Sequence, residues 1–95
     1  MKRNKYIIGN WKMNGDKSSI SVVNSINKSL QRKRYNSKIV ICPPITVLDY
    51  YSRSFKRSMI SFGSQDCHHE ESGPYTGCVS SKMIKDIGAN YSIIG

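Results

Sequence analysis

The chain has 95 residues, with 15 Lys and Arg against 6 Asp and Glu and a formal charge of +9. That length suits one small domain, and no apolar run approaches the roughly 20 residues of a membrane span. Lys2, Arg3 and Lys5 precede only Tyr6-Ile7-Ile8, too brief for a signal-peptide core, and the three cysteines form no C-x-x-C pair, which argues against a disulfide framework or zinc knuckle and predicts a reduced, cytoplasmic setting.

In chain order, Tyr6 to Ile8 is short, apolar and bounded by Gly9, and it reads as a buried parallel strand. Val22, Val23, Ile26 and Leu30 then recur at helical spacing, with Ser18 or Ser19 available as N-cap. Lys38 to Cys42 is the second strand, ended by Pro43-Pro44, and Val47, Leu48, Tyr51 and Phe55 mark the inner face of a second helix. Met59 to Gly63 is a third strand. Gln65 to Ser80 follows as a long polar connection, and loops of that length without structure are usually functional. Ser80 or Ser81 can cap a third helix through Ile87, with Gly88 as its left-handed exit, before a last strand from Tyr91 to Ile94.

The result is one α/β unit over residues 1–95, βαβαβαβ, without linker, repeat or second domain. Right-handed crossovers make its strands parallel. Pattern alone leaves a doubly wound sheet and part of a barrel equally open, but either puts chemistry at the carboxyl ends of the strands.

The basic charge has two readings. Lys28, Arg32, Lys33, Arg34 and Lys38 lie around the end of the first helix, and Arg53, Lys56 and Arg57 near the end of the second. Cations there complement the helix dipole, so a solvated surface is favoured over a nucleic-acid partner. A small basic nucleic-acid-binding module remains the alternative, and a steep fall of affinity with salt would identify it.

Asn10 and Lys12 leave the carboxyl end of the first strand together. An ammonium about 4 Å from a phosphate oxygen gains on the order of 4 kcal/mol per unit charge at an effective dielectric near 20. Taken alone, a lysine after a strand is more often an ordinary surface residue, and an asparagine there a turn residue bonded to its own backbone. Trp11 is expected to pack against the sheet, and Gly9 to allow close backbone approach. Cys67-His68-His69-Glu70-Glu71 invites a metal reading, yet adjacent histidines in an extended loop point apart and no second ligand cluster exists. Neither nucleotide fingerprint, G-x-G-x-x-G or G-x-x-x-x-G-K-[ST], occurs.

Four blocks carry a resemblance. Gly-Asn-Trp-Lys-Met-Asn-Gly-Asp-Lys (9–17), Gln65-Asp66-Cys67, Gly73-Pro74-Tyr75-Thr76-Gly77 and Met83-Ile84-Lys85-Asp86-Ile87-Gly88-Ala89 together resemble the triosephosphate isomerase family, in its order and at roughly its spacing. The resemblance implies the N-terminal βαβαβαβ part of a (β/α)8 barrel, which needs about 250 residues when closed. It implies interconversion of dihydroxyacetone phosphate and glyceraldehyde 3-phosphate through an enediolate, without cofactor or metal. Lys12 would bind the triose phosphate and stabilise the enediolate, with Asn10 orienting the same substrate. Asn14, Gln65, Asp66, Tyr75 and Thr76 would lie at a homodimer interface, where Thr76 supports the partner's asparagine and lysine. No nucleic-acid or membrane partner is implied.

The family is itself a worked example of a glutamate base beside a neutral histidine, and neither is matched here. Its histidine would stand immediately beyond Gly95, so the chain reads as a fragment, inactive alone. Glu70, Glu71, His68 and His69 belong to the interface loop and do not substitute. Three positions depart from the family pattern: Cys78 replaces a glutamate, Pro74 a small residue, and Asp66 an asparagine, which exchanges a donor and acceptor for an acceptor only. A catalytically silent interaction protein is the remaining alternative.

Overall fold

The computed structural model describes residues 5–32 and 36–95; Lys2, Arg3, Lys33 and Arg34, named above for their charge, lie outside the described residues. Strands β1 (Lys5–Asn10), β2 (Ser37–Cys42), β3 (Ile60–Ser64) and β4 (Tyr91–Ser92) alternate with helices α1 (Ile20–Gln31), α2 (Ile45–Ser54) and α3 (Ser81–Asp86). The strands form one sheet in the order β1-β2-β3-β4, and every pair is parallel, with Asn10 opposite Cys42, Ile41 opposite Phe62, and Gly63 opposite Tyr91. Sequential parallel order is what repeated β-α-β units produce when each helix returns the chain to the same edge.

One face of the sheet packs against the helices. Ile41, Ile60 and Phe62 point to the helices and meet Val23 and Leu30 of α1, Val47, Leu48 and Tyr51 of α2, and Ile84 and Ala89 around α3. Val23, Leu48 and Tyr51 are fully buried, and a buried Val or Leu side chain contributes about 1.5–3 kcal/mol. On the opposite face Gly63 leaves room for its neighbours: a Cβ there would stand 2.9 Å from both the Cβ and the carbonyl oxygen of Tyr91, and 3.1 Å from Cys42 Sγ. Tyr6 of β1 and Tyr91 of β4 meet edge-on across this face at 6.1 Å between ring centroids. Three strand spacings in a flat sheet would separate those strands by about 14 Å, so the contact requires the sheet to curl. The architecture is an open part of a (β/α)8 barrel, as the resemblance implied.

Several local expectations change. The strands run a residue or two differently from their apolar runs, with β3 beginning at Ile60 and Met59 exposed. β1 extends to Asn10 and is not the buried strand expected: as an edge strand paired on one side alone, it leaves Tyr6, Ile7 and Ile8 about half exposed. Val22 is half exposed, so α1 turns Val23, Ile26 and Leu30 inward instead. Ser19 occupies the N-cap position of α1 but makes no side-chain cap bond. The capping belongs to Asp16, which opens a 3-10 turn over Lys17–Ser19 in a reciprocal capping box. Its carboxylate accepts from Ser18 N at 3.0 Å and Ser18 Oγ at 2.6 Å, while its carbonyl accepts from the Tyr51 hydroxyl. Gly9 is not crowded, since a Cβ there would meet nothing within 4 Å. Ser80 caps α3 through Met83 N, and Gly88 follows it at a φ of 90°. Lys28 and Arg53 stand in the last turns of α1 and α2 as the dipole favours.

Replacing Gly63 by Ala in the full-length protein should lower stability by about 1–3 kcal/mol, because Tyr91 backbone cannot give way, and the midpoint of chemical denaturation measures it. A second test concerns acid. The Ser18 hydroxyl holds the Asp16 carboxyl below its ordinary value of 3.8 against a smaller desolvation effect, and the backbone N–H groups of Ser18 and Ser19 lower it further. A carboxyl lowered in the folded state contributes stability that is complete above its ordinary value and fades as pH falls through the lowered one. The stability gap between the parent and Asp16→Ala should therefore be full at neutral pH and shrink below pH 3.8. A gap constant across the acid range would contradict the capping assignment.

Candidate functional site at the carboxyl rim

Chain leaving β1 turns at once. Lys12 has a φ of 57°, and it is the one non-glycine residue with positive φ among the described residues. For a lysine that conformation costs on the order of 1–3 kcal/mol and persists only where neighbours enforce it. They do so from both sides. Asn10 Oδ1 accepts the Lys12 N–H at 2.9 Å, the self-bonded turn that an asparagine at a strand end favours. Gln65 Nε2 donates to the Lys12 carbonyl at 2.7 Å and to the Cys42 carbonyl at 3.0 Å. The same Cys42 carbonyl accepts from Trp11 N at 3.1 Å, so the exits of β1, β2 and β3 are tied at one point.

Trp11 lies edge-on to Tyr51 at 5.7 Å and is partly buried against the core, the packing role its sequence position predicted. Asn14 donates from Nδ2 to the Trp11 carbonyl at 2.9 Å, closing the turn. Lys12 itself is exposed. With Gln65 and Asp66 it lines a cavity of about 640 Å³ that also takes in Met13, His69 and Cys78. Cys42 is buried, and burial raises its thiol above the ordinary range, away from the reactive thiolate.

The Gln65 to Ser80 connection holds more structure than its polarity implied. His68 N donates to Val79 O at 2.7 Å and His68 bridges Ser80, which closes the loop at its base. Its tip is a turn in which Cys78 N donates to Tyr75 O at 3.1 Å, with exposed Thr76 inside it. The expectation that His68 and His69 point apart is overturned. Their rings stack at 4.4 Å, and His68 also lies 4.1 Å from the Tyr75 ring. Glu70 N donates to His68 Nδ1 at 3.0 Å, so the backbone bends there instead of running extended. Gly73 makes the fold-back possible, because at its φ of 145° a Cβ would stand 2.6 Å from the Tyr75 ring. Among the described residues no group of three or more His, Cys, Asp or Glu could hold a metal ion. Tyr75 lines a different cavity, about 830 Å³ between the loop and α3, with His68, Lys82, Met83 and Ile87.

Of the residues singled out in the sequence, Asn10, Lys12, Asn14 and Gln65 are thus joined through one hydrogen-bonded strand exit, and Asp66 shares the Lys12 cavity. Tyr75 and Thr76 stand apart at the loop tip. Sequence reasoning did not find the bond between Gln65 and Lys12, which spans 53 positions; the available signal was an amide directly after a strand end.

A curled, open four-stranded parallel sheet with helices on one face and a lysine-bearing turn at its carboxyl rim is the architecture of part of a (β/α)8 barrel. The family model for triosephosphate isomerase matches residues 5–95. Triosephosphate isomerases of Mesorhizobium japonicum and of the Wolbachia of Brugia malayi are 38% and 44% identical, each over 94% of this chain. The crystal structure of triosephosphate isomerase from Bartonella henselae superposes with a TM-score of 0.90 at 35% identity over 98% of the chain. The chain belongs to the triosephosphate isomerase family. It spans 35% to 38% of the length of these relatives.

Proposed function

We propose that the full-length protein interconverts dihydroxyacetone phosphate and glyceraldehyde 3-phosphate, and that Lys12 holds the substrate and stabilises the enediolate oxygen. The observation that carries this reading is the left-handed Lys12 at the carboxyl end of β1, in a chain matched by the family model over residues 5–95. Conformational strain at a strand exit, held by three hydrogen bonds around one turn, is the kind of feature that concentrates at functional sites. An exposed ammonium there is free to meet a phosphorylated ligand, and its attraction for the charge grows as the carbonyl becomes an enediolate.

Asn10 takes a supporting role. Its Oδ1 is already committed to the Lys12 N–H, so its Nδ2 is the group left to donate to a substrate oxygen. The proton moves from C1 to C2 of the triose by way of a base and an electrophile supplied outside these 95 residues. Glu70 and the His68–His69 pair are engaged with one another in the loop, which supports leaving them out of proton transfer. No cofactor or metal is required. The partner of this reading is a second copy: Asn14, Gln65, Asp66, Tyr75 and Thr76 lie on the exposed or half-exposed loops that a homodimer would join, with Thr76 reaching the Asn10 and Lys12 of the other subunit. The helix-terminal cations support a solvated basic surface over a nucleic-acid face. Among the described residues no helix is long and apolar enough to cross a membrane, and the cytoplasm is the proposed setting.

In the full-length protein, Lys12→Ala should lower kcat/KM for glyceraldehyde 3-phosphate by about 10²–10³ or more, the usual loss when a group stabilising developing charge is removed. A coupled assay reads it, and an unchanged kcat/KM would overturn the reading. The 95-residue segment assayed alone should show no turnover above background, because it presents one wall of the site; turnover that vanishes in its Lys12→Ala variant would contradict this.

A further inference from the structure

The network around Lys12 has a single side chain at its centre. Gln65, the first residue after β3, reaches 2.7 Å to the Lys12 carbonyl and 3.0 Å to the Cys42 carbonyl through the same nitrogen. Both partners are acceptors only, so the amide must present its nitrogen to them, and each of its two hydrogens has one carbonyl. Gln65 therefore has no freedom to flip without placing its oxygen against two others. The Lys12 backbone is held at both ends, its N–H by Asn10 and its carbonyl by Gln65. Returning Lys12 from its φ of 57° to the ordinary right-handed region would swing that carbonyl away and break the Gln65 bond.

We propose that Gln65 is a positioning residue for Lys12. It locks the left-handed turn to the end of β2 and so sets where the ammonium stands above the rim, a role separate from the subunit contact expected of it. This rests on the reading of Lys12 as the substrate-binding lysine. Gln65 does not touch the reacting atoms; it acts through the backbone of Lys12. The neighbouring polar side chains do not replace it, since Asn10 holds the Lys12 N–H and Asn14 donates to Trp11 O.

The test uses the full-length protein and two substitutions. Gln65→Met keeps the length and removes both donors. Gln65→Glu keeps the shape and sets a carboxylate against two carbonyls. Gln65→Met should raise KM and lower kcat together, with kcat/KM down about a hundredfold, the cost of a misplaced catalytic group. Its crystal structure should show Lys12 at negative φ. Gln65→Glu should show a similar loss at alkaline pH and regain part of it, relative to the parent at the same pH, as acid protonates the carboxyl and restores one donor. Either variant with a lowered melting temperature but unchanged KM, and Lys12 still left-handed, would overturn the proposal and leave Gln65 a folding or subunit-contact residue. The two readings fail separately. If Lys12→Ala keeps full activity, the role of Lys12 falls; if Lys12→Ala is inactive while Gln65→Met matches the parent, only the role of Gln65 falls.

Discussion

One turn governs how this protein can act: Lys12, held in a conformation that L-residues avoid, at the point where three parallel strands end. The strain is local, but what sustains it is not. Asn10 comes from the same strand, the Cys42 carbonyl from the next and Gln65 from the one after. The turn therefore exists only when β1, β2 and β3 lie in parallel register, with Asn10 beside Cys42. A fold with the same helices and a shifted register would lose the clamp, because the carbonyl that Trp11 and Gln65 share would move by a residue and face the other way.

Packing delivers that register. The helix face of the sheet is filled by aliphatic side chains from all three helices, so a slip of one position would turn Ile41 and Phe62 away from Leu48 and Val47. On the opposite face Gly63 admits Tyr91, and Tyr91 meets Tyr6 across the curl. Curvature brings the strand exits toward a common centre and gathers the loops after β1 and β3 around one cavity. The long loop adds its own rigidity, because the His69, His68 and Tyr75 rings tie its tip back to its base.

Much of this was legible in the residues. Short β-branched runs marked the strands, and Val47, Leu48 and Tyr51 marked the buried side of α2, because burial on a regular element leaves a period in the sequence. The Asn10-Trp11-Lys12 exit was legible through family resemblance alone, since lysines at strand ends are common. What stayed hidden has a shared physical cause. Asp16 displaced the serines as cap because a 3-10 turn precedes α1, and no periodicity announces one. His68 and His69 stack because one backbone N–H bends the chain between them, a detail of the loop that composition does not encode. The Gln65 clamp joins residues 53 and 23 positions apart, and no local pattern reports a contact of that range.

The central claim is that the strained turn aims an ammonium at a phosphorylated triose. A crystal structure of the full-length protein with a non-reactive triose phosphate analogue tests it most directly. The account predicts Lys12 Nζ about 3 Å from a ligand oxygen, in charge-assisted hydrogen-bond range, with the left-handed backbone and the Gln65 bond intact. A bound analogue with Lys12 turned away into solvent would contradict it.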